Sequence, residues 1–396
     1  MASTSSFCWD GVDRALERGD AKGAASVAQE GLRAVAYDER RRFFTQLCTV
    51  LLRHTRTSDG AVCVAEAGEL LWMMPEVRSS SSATTTVSGE TLLLAAALAT
   101  ANVTLQNYEK VLVFDRELLQ SPAFFTYDGF TAIERLACVA RILVASRMTD
   151  GTRYVDSAVH KGMSLYHGLV KSCVRLGDAA QRQRDAVVCA YLFELACYRQ
   201  KQNDYVRAFQ SFLALHDKNK QTEVLCRAAL AALCIRAGEG VRQGALHDVL
   251  LRCSPAALPS LYPYVQQAYS QQLFRAADTA AVLAAAGEYV PTNVLRDALR
   301  EHNILLLAKA FDCVYWRSLC VHMDDDAITE GELYDLLVSM VHAQRLPVAI
   351  HQDTGFIEFG EGQAGARQRV MTDADVFNRI AKATAVIAAA RPDLLS

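Results

Sequence analysis

The sequence REHNILLLAKAFDCVYWRSLCVHMDDDAITEGELYDLLVSMVHAQRLPVAIHQDTGFIEFG, residues 300–360, decides the fold. Here a helical spacing of apolar residues changes cleanly to a strand pattern and back. One apolar helix face opens the stretch: Ile304, Leu305, Ala308 and Phe311. A β-branched and aromatic run at 314–316 then predicts a small strand. A short helix is predicted over 318–323, and the polar run 324–326 ends it.

The second half of the stretch predicts a helix followed by a hairpin. Thr329 and Glu332 fit a capping box, in which each side chain bonds the backbone N–H of the other residue. Five apolar residues follow on one helix face: Leu333, Leu336, Leu337, Met340 and Val341. Strand patterns at 346–350 and 356–359 flank Gly355, which can adopt the positive φ of a tight turn. The order helix, strand, helix, helix and hairpin predicts a winged helix.

The charge of this segment argues against a nucleic-acid ligand. Residues 301–360 contain ten aspartates and glutamates against three lysines and arginines, a formal net charge of −7 without the histidines. The helix that would enter a DNA groove begins Glu330-Gly331-Glu332. Nucleic-acid affinity comes largely from lysine and arginine neutralising phosphates. We therefore expect this winged helix to bind protein.

The same segment resembles the winged-helix half of a PCI domain, a module shared by the proteasome lid, the COP9 signalosome and translation initiation factor 3. Glu301-His302-Asn303-Ile304 and Ala308-Lys309-Ala310-Phe311 resemble the family's entry helix, and residues 345–359 resemble its closing hairpin. The family often has Ile-Asp-Gln in the first hairpin strand, where this chain has Ile350-His351-Gln352. The resemblance implies that a helical array precedes the winged helix.

The remainder of the chain reads as that helical array. From residue 7 to about residue 299, amphipathic units of roughly 15 to 25 residues follow one another, a pattern typical of stacked helical hairpins. The run ALAALCIRAGEGVRQGALHDVLLRC, residues 229–253, resembles the last helical repeats of a signalosome PCI subunit more than those of its lid counterpart. We predict a mainly α fold: a TPR-like or HEAT-like helical-repeat solenoid, a winged-helix PCI domain and a C-terminal helix.

Five segments divide the predicted fold. Residues 1–185 form an N-terminal helical-repeat arm, in which the serine- and threonine-rich run 78–89 is a flexible loop or insertion. Residues 186–299 are the helical-bundle half of the PCI domain and residues 300–360 its winged-helix half. A linker, 361–372, leads to a terminal helix over 373–391.

The terminal helix carries an apolar seam at spacings of three and four residues: Phe377, Ile380, Thr384 and Ile387. Such a seam needs a partner. The helix could pack back on the winged helix of its own chain. The family resemblance instead implies insertion into a bundle of C-terminal helices from several subunits.

Composition and cysteine usage indicate a reducing compartment. The chain has 396 residues, is 51% hydrophobic, and carries a formal net charge of −3. None of its 12 cysteines lies in a CxxC pair. Three pairs fall at helical spacing, which predicts buried reduced thiols on shared helix faces: Cys189 and Cys197, Cys226 and Cys234, Cys313 and Cys320. Residues 1–20 lack a signal-peptide core, and no apolar run approaches a membrane span, so we expect a soluble intracellular protein.

Motifs for catalysis, metals and cofactors are missing. The sequence has no HExxH, no phosphate loop, no GxGxxG after a strand and no GxSxG. His160 and His167 share a helix face at i, i+7, too far apart for one metal, and His302 reads as a satisfied residue at a helix start. The run 324–326 lacks the spaced ligands of a calcium loop. We therefore expect no enzyme activity, no cofactor and no metal.

The resemblance implies a non-catalytic scaffold in the COP9 signalosome, which removes the ubiquitin-like modifier Nedd8 from cullins. Its partners would be other PCI and MPN-type subunits, with a cullin–RING ligase as substrate, in the cytoplasm and nucleus; nucleic acid and membrane are not expected. The predicted interaction residues are Val348, Ile350, Phe356, Ile357, Phe359, Phe377, Ile380, Thr384 and Ile387. The competing hypotheses are a PCI subunit of the proteasome lid, one of initiation factor 3, a winged-helix transcription factor, which the −7 charge disfavours, and an enzyme.

Overall fold

The computed structural model describes residues 9–35, 39–74, 89–121, 123–149, 155–172, 177–325, 328–351 and 354–360. These residues are mainly helical, with one small sheet of three strands. In chain order the elements are α1 (Asp10–Glu17), α2 (Ala21–Ala34), α3 (Arg40–His54), α4 (Ser58–Trp72), α5 (Gly89–Thr104), α6 (Tyr108–Gln120), α7 (Ala123–Thr126), α8 (Ala132–Thr149), α9 (Val155–Lys171), α10 (Asp178–Lys201), α11 (Tyr205–Asn219), α12 (Thr222–Cys234), α13 (Gly240–Arg252), α14 (Tyr262–Tyr269), α15 (Ala276–Ala286), α16 (Thr292–Ala310), β1 (Cys313–Tyr315), α17 (Trp316–Met323), α18 (Glu330–His342), β2 (Val348–His351) and β3 (Phe356–Phe359). The chain divides after His302 into an N-terminal and a C-terminal unit.

The N-terminal unit is an array of helices in which each packs mainly against those one and two positions along the chain. That pattern is the one expected of stacked helical hairpins, because a single amphipathic helix cannot bury its apolar face alone. One continuous core runs from Val12 to Leu299. Short polar caps start several helices: Asp20 accepts a bond from the Gly23 N–H, and Asp204 one from the Arg207 N–H.

The C-terminal unit contains a sheet in the order β1-β3-β2, with both pairings antiparallel. Its own core lies on one side of that sheet, where Val314 and Ile357 meet Leu333, Leu337 and Met340 of α18. These side chains are fully or almost fully buried. The order of elements from α16 to β3 is the one that the sequence predicts.

Three details differ from the sequence prediction. The first strand ends at Tyr315 and Trp316 begins α17, since Tyr315 keeps extended backbone (ψ 149°) as the N-cap. Helix α16 begins at Thr292, so His302 lies in its middle and not at a helix start. Cys313 lies in β1 and Cys320 in α17, so these two cysteines do not share a helix face.

Several predicted segments lie outside the described residues: nearly all of the 78–89 run, the linker 361–372 and the terminal helix 373–391. The C-terminal unit begins at Asn303, three residues beyond the predicted start of the winged-helix half at residue 300. Across the described parts of the chain, the helices lack the length and apolar character needed to cross a membrane.

Candidate interaction surface

The sheet of the C-terminal unit has an outer edge at β2. The central strand is β3, which pairs with β1 on one side and with β2 on the other. Pro347 O accepts a bond from the Gly360 N–H at 3.0 Å, and Val348 lies opposite Phe359. Because the backbone groups of an antiparallel strand point alternately to its two sides, those of Val348 and Ile350 face away from β3. Within the described ranges, no strand pairs with this β2 edge.

The predicted hairpin residues fall into two groups. Val348 and Ile350 are half-buried and pack against the C-terminal core. Phe356 is half-buried and projects from the opposite face of the sheet. Ile357 is 0% exposed and Phe359 7% exposed, and both belong to the core. The expectation that Ile357 and Phe359 belong to the interaction surface is therefore corrected: their side chains stabilise the unit, and their strand is central and has no open edge.

The predicted seam residues Phe377, Ile380, Thr384 and Ile387 lie outside the described residues. Gly355 in the hairpin turn has φ +66°, and a Cβ there would come within 3.1 Å of the Trp316 ring. Glycine is thus required at this turn both by its backbone conformation and by the close indole.

The start of α18 is acidic and exposed. The Thr329 N–H donates to Glu332 Oε2 at 3.0 Å, and the Glu332 N–H donates to Thr329 Oγ1 at 3.2 Å, which makes the predicted capping box. Glu330 and Asp335 are exposed, and Glu330 lies 4.0 Å from the similarly exposed Arg317. Acids in a first turn stabilise the positive end of a helix dipole. This end of the helix is suited to a basic partner and repels phosphate.

The described cysteines are free, and their burial makes several of them weak nucleophiles. Burial raises the pKa of the Cys48, Cys138 and Cys234 thiols to about 12 each. A thiol with such a pKa carries almost no thiolate at neutral pH. The described residues hold no cluster of three or more His, Cys, Asp or Glu side chains with metal-ligand geometry. His302 Nε2 lies 3.0 Å from the Gln272 carbonyl oxygen, so it donates there as a packed residue.

Sequence reasoning missed three ion pairs with buried carboxylates in the N-terminal unit. Each joins residues far apart in the chain, and no local spacing signals the pairing. Arg141 binds Asp115 with two bonds, of 3.0 and 3.3 Å; Arg147 binds Glu194 with bonds of 2.9 and 3.0 Å; Arg236 lies 2.6 Å from Glu301. Each guanidinium compensates a buried carboxylate whose charge would otherwise be costly to bury.

Two concave sites also lie in the N-terminal unit. An apolar groove of about 470 Å³ runs between α11 and α13, lined by residues that include Phe209, Leu213, Ile235 and Val241. A more polar cavity of about 610 Å³ is lined by residues that include Asp156, Tyr198, Arg199 and Arg207. The Arg199 guanidinium there donates to the Arg207 carbonyl at 3.2 Å and to Ser211 Oγ at 2.8 Å. Burial lowers the pKa of Arg199.

No family model matches this chain, and no curated protein sequence matches it at a significant level. The described residues of the C-terminal unit offer an open strand edge and an acidic helix start, and those of the N-terminal unit offer two concave sites in the helical array. Backbone groups at a strand edge are suited to pairing with another chain.

Proposed function

We propose that this chain is a non-catalytic scaffold with a PCI domain, of the kind found as subunit 4 of the COP9 signalosome. The observation that carries the proposal is the order of elements from α16 to β3, with an open β2 edge, after a long helical array. That order resembles the winged-helix half of a PCI domain. The residue run 301–311 resembles the signalosome subunit and its proteasome-lid counterpart alike, whereas the run 229–253 favours the signalosome.

The β2 edge would bind the first partner. A strand of a neighbouring PCI subunit can add to the sheet through the outward N–H and C=O groups of Val348 and Ile350. The half-buried side chains of these two residues stay on the core side, so the pairing would be made mainly by backbone. The seam at Phe377, Ile380, Thr384 and Ile387 would bury apolar surface in a bundle with the terminal helices of other subunits.

The helical array would engage the substrate of the complex, a cullin–RING ligase carrying Nedd8. Arrays of this type offer long surfaces on which a large partner binds through many weak contacts. Removal of Nedd8 itself would be the work of an MPN-type catalytic subunit. The chain would act in the cytoplasm and the nucleus, where cullin–RING ligases act.

Affinity purification of the tagged chain from its own cells, followed by mass spectrometry, tests the proposal. We expect six to eight PCI and MPN-type subunits together with cullins. Recovery of proteasome core and ATPase-ring subunits would replace the signalosome with the proteasome lid, and recovery of initiation factor 3 subunits would replace it with that complex. Recovery of the chain by itself would contradict a scaffold function.

A further inference from the structure

The outer face of the C-terminal sheet, the side away from the core, carries a row of aromatic residues. Val314 and Ile357 project into the core, so their neighbours Tyr315 and Phe356 project from the other face. The strand register places Tyr315 opposite Phe356 and Phe356 opposite His351. One residue from each strand thus lies in a single line across the sheet. We call Tyr315, Phe356 and His351 the aromatic row.

Phe356 contacts both other rings of the aromatic row, and the two outer residues, Tyr315 and His351, are exposed to solvent. The rings of Tyr315 and Phe356 are 5.4 Å apart at their centroids, and those of His351 and Phe356 are 6.2 Å apart. Tyr315 is 59% exposed, and the His351 side chain is 49% exposed. Contiguous aromatic surface that is left in water typically marks a binding site. Its rings already hold one another in place, so little side-chain entropy would be lost on binding.

A carboxylate lies beside the row on the same face. Glu358 is two residues from Phe356 on β3, and its carboxylate lies 3.9 Å from the His351 imidazole. Ring faces attract cations, and a carboxylate accepts the paired N–H groups of a guanidinium. An arginine side chain combines both features, because it is planar, weakly hydrated and forked. A lysine ammonium is more strongly hydrated and stacks less well.

Stacked nucleic-acid bases are the other ligand that aromatic side chains on a sheet recognise. Their phosphates need a basic surround, and residues 301–360 carry a formal net charge of −7. The same charge attracts a basic peptide. We propose that the outer sheet face binds an arginine side chain within a basic segment of a protein partner, with the ring of Tyr315 or Phe356 under the guanidinium and Glu358 as its ion partner.

Fluorescence anisotropy with a labelled peptide, acetyl-GRGRGRGRG-amide, tests this on the full-length chain. We expect measurable binding that weakens about fivefold in Tyr315→Ser, since an exposed cation–π contact contributes about that factor. The separate variant Glu358→Gln should also weaken binding, because it removes the charge of the ion partner. Tyr315→Phe keeps the ring and should bind within about twofold of the unaltered chain, which separates loss of the ring from loss of folding. Val321→Ala, at a 71% exposed side chain on α17, is the control outside the row.

A peptide with lysine at each arginine position and a labelled uridine decamer complete the experiment. The lysine peptide should bind more weakly than the arginine peptide, and the decamer should not bind. Equal binding of the arginine peptide to the Tyr315→Ser variant, or absence of binding to the unaltered chain, would overturn the proposal. Decamer binding that depends on Tyr315 would instead make the face a nucleic-acid surface.

Discussion

The contact between Asp115 and Arg141 shows how single residues fix the helical array. Asp115 lies on α6 and is 0% exposed, and Arg141 on α8 holds it through two bonds. Burial raises the pKa of the Asp115 carboxyl, while the charge and bonds of Arg141 act to lower it. Burial of the Asp115 carboxylate thus depends on the Arg141 guanidinium, since an unpaired buried carboxylate is costly.

Arg141→Met should therefore destabilise the chain by about 3 to 5 kcal/mol in urea unfolding. Without Arg141, the folded-state pKa of Asp115 rises further above its unfolded value. At a pH below that folded-state pKa the buried carboxyl is neutral; at a pH above it the folded chain must hold an unpaired carboxylate and loses stability. The loss should be larger at pH 8 than at pH 5. Lys110 lies on α6, the helix that carries Asp115, and forms an exposed ion pair with Glu69. The control variant Lys110→Met should cost less than about 1 kcal/mol. Equal losses in the two variants would contradict this assignment.

The buried thiols give a second test at the residue scale. Cys48, Cys138 and Cys234 have pKa values raised to about 12 by burial, so iodoacetamide at pH 7.5 should leave them unmodified in the folded chain. The same three should react in urea, where the thiol pKa returns to about 8.5. Cys253, which is only partly buried, is the internal comparison. Peptide mass spectrometry that finds Cys234 alkylated in the folded chain would contradict its burial.

At the scale of elements, substitutions on the β2 edge can test the pairing of its backbone apart from the packing of its side chains. The Val348 N–H faces away from β3, so a proline at this position would remove an outward donor without breaking a bond within the sheet. Alanine at this position removes side-chain volume and keeps the donor. The two substitutions differ mainly in whether another strand can add to the edge.

Val348→Pro should abolish recovery of neighbouring subunits from cells, whereas Val348→Ala should retain it. The C-terminal unit should stay folded in both, as measured by near-ultraviolet circular dichroism and thermal unfolding. If Val348→Pro recovers the same proteins as the unaltered chain, the β2 edge is not the surface that assembles. If Val348→Pro unfolds and Val348→Ala does not, the single variants Ile350→Pro and Ile350→Ala repeat the comparison, because the Ile350 N–H also faces outward.

The elements could be predicted from the sequence because their signals are local, whereas the pairing of strands far apart in the chain could not. The capping box at Thr329 and the turn glycine Gly355 act within a few residues, so their sequence patterns are sufficient. The place of β3 at the centre of the sheet depends on β1, some 40 residues earlier, and strand spacing contains no such information. For that reason the sequence predicts Ile357 and Phe359 as interaction residues, whereas the structure places them in the core. The aromatic row depends on the same pairing.

At the scale of the whole molecule, the proposal joins a long helical array to a small acidic unit with an open strand edge. The negative net charge of the chain, −3, comes from this part of the sequence: residues 301–360 carry −7, and the remainder is net positive. Assembly through backbone edges and an apolar seam tolerates this charge, whereas binding to a polyanion does not.

Phe377→Asp together with Ile380→Asp should abolish co-purification of other subunits and leave the helical array folded. Two carboxylates in an apolar seam cannot be buried without partners, so a shared helical bundle would not form. Asn378→Asp, between the two seam positions, adds charge off the seam and is the matched control. Recovery of the same subunits with the double variant would contradict the proposal that the predicted helix 373–391 takes part in assembly.

Removal of Nedd8 from a cullin by the complex purified on the tagged chain tests the central claim most directly. We predict that the eluate of the unaltered chain converts a neddylated cullin–RING ligase to its free cullin, and that the eluate of the Phe377→Asp, Ile380→Asp variant does not. An eluate of the unaltered chain that contains its stable partners and leaves the neddylated cullin intact would contradict the assignment to the signalosome.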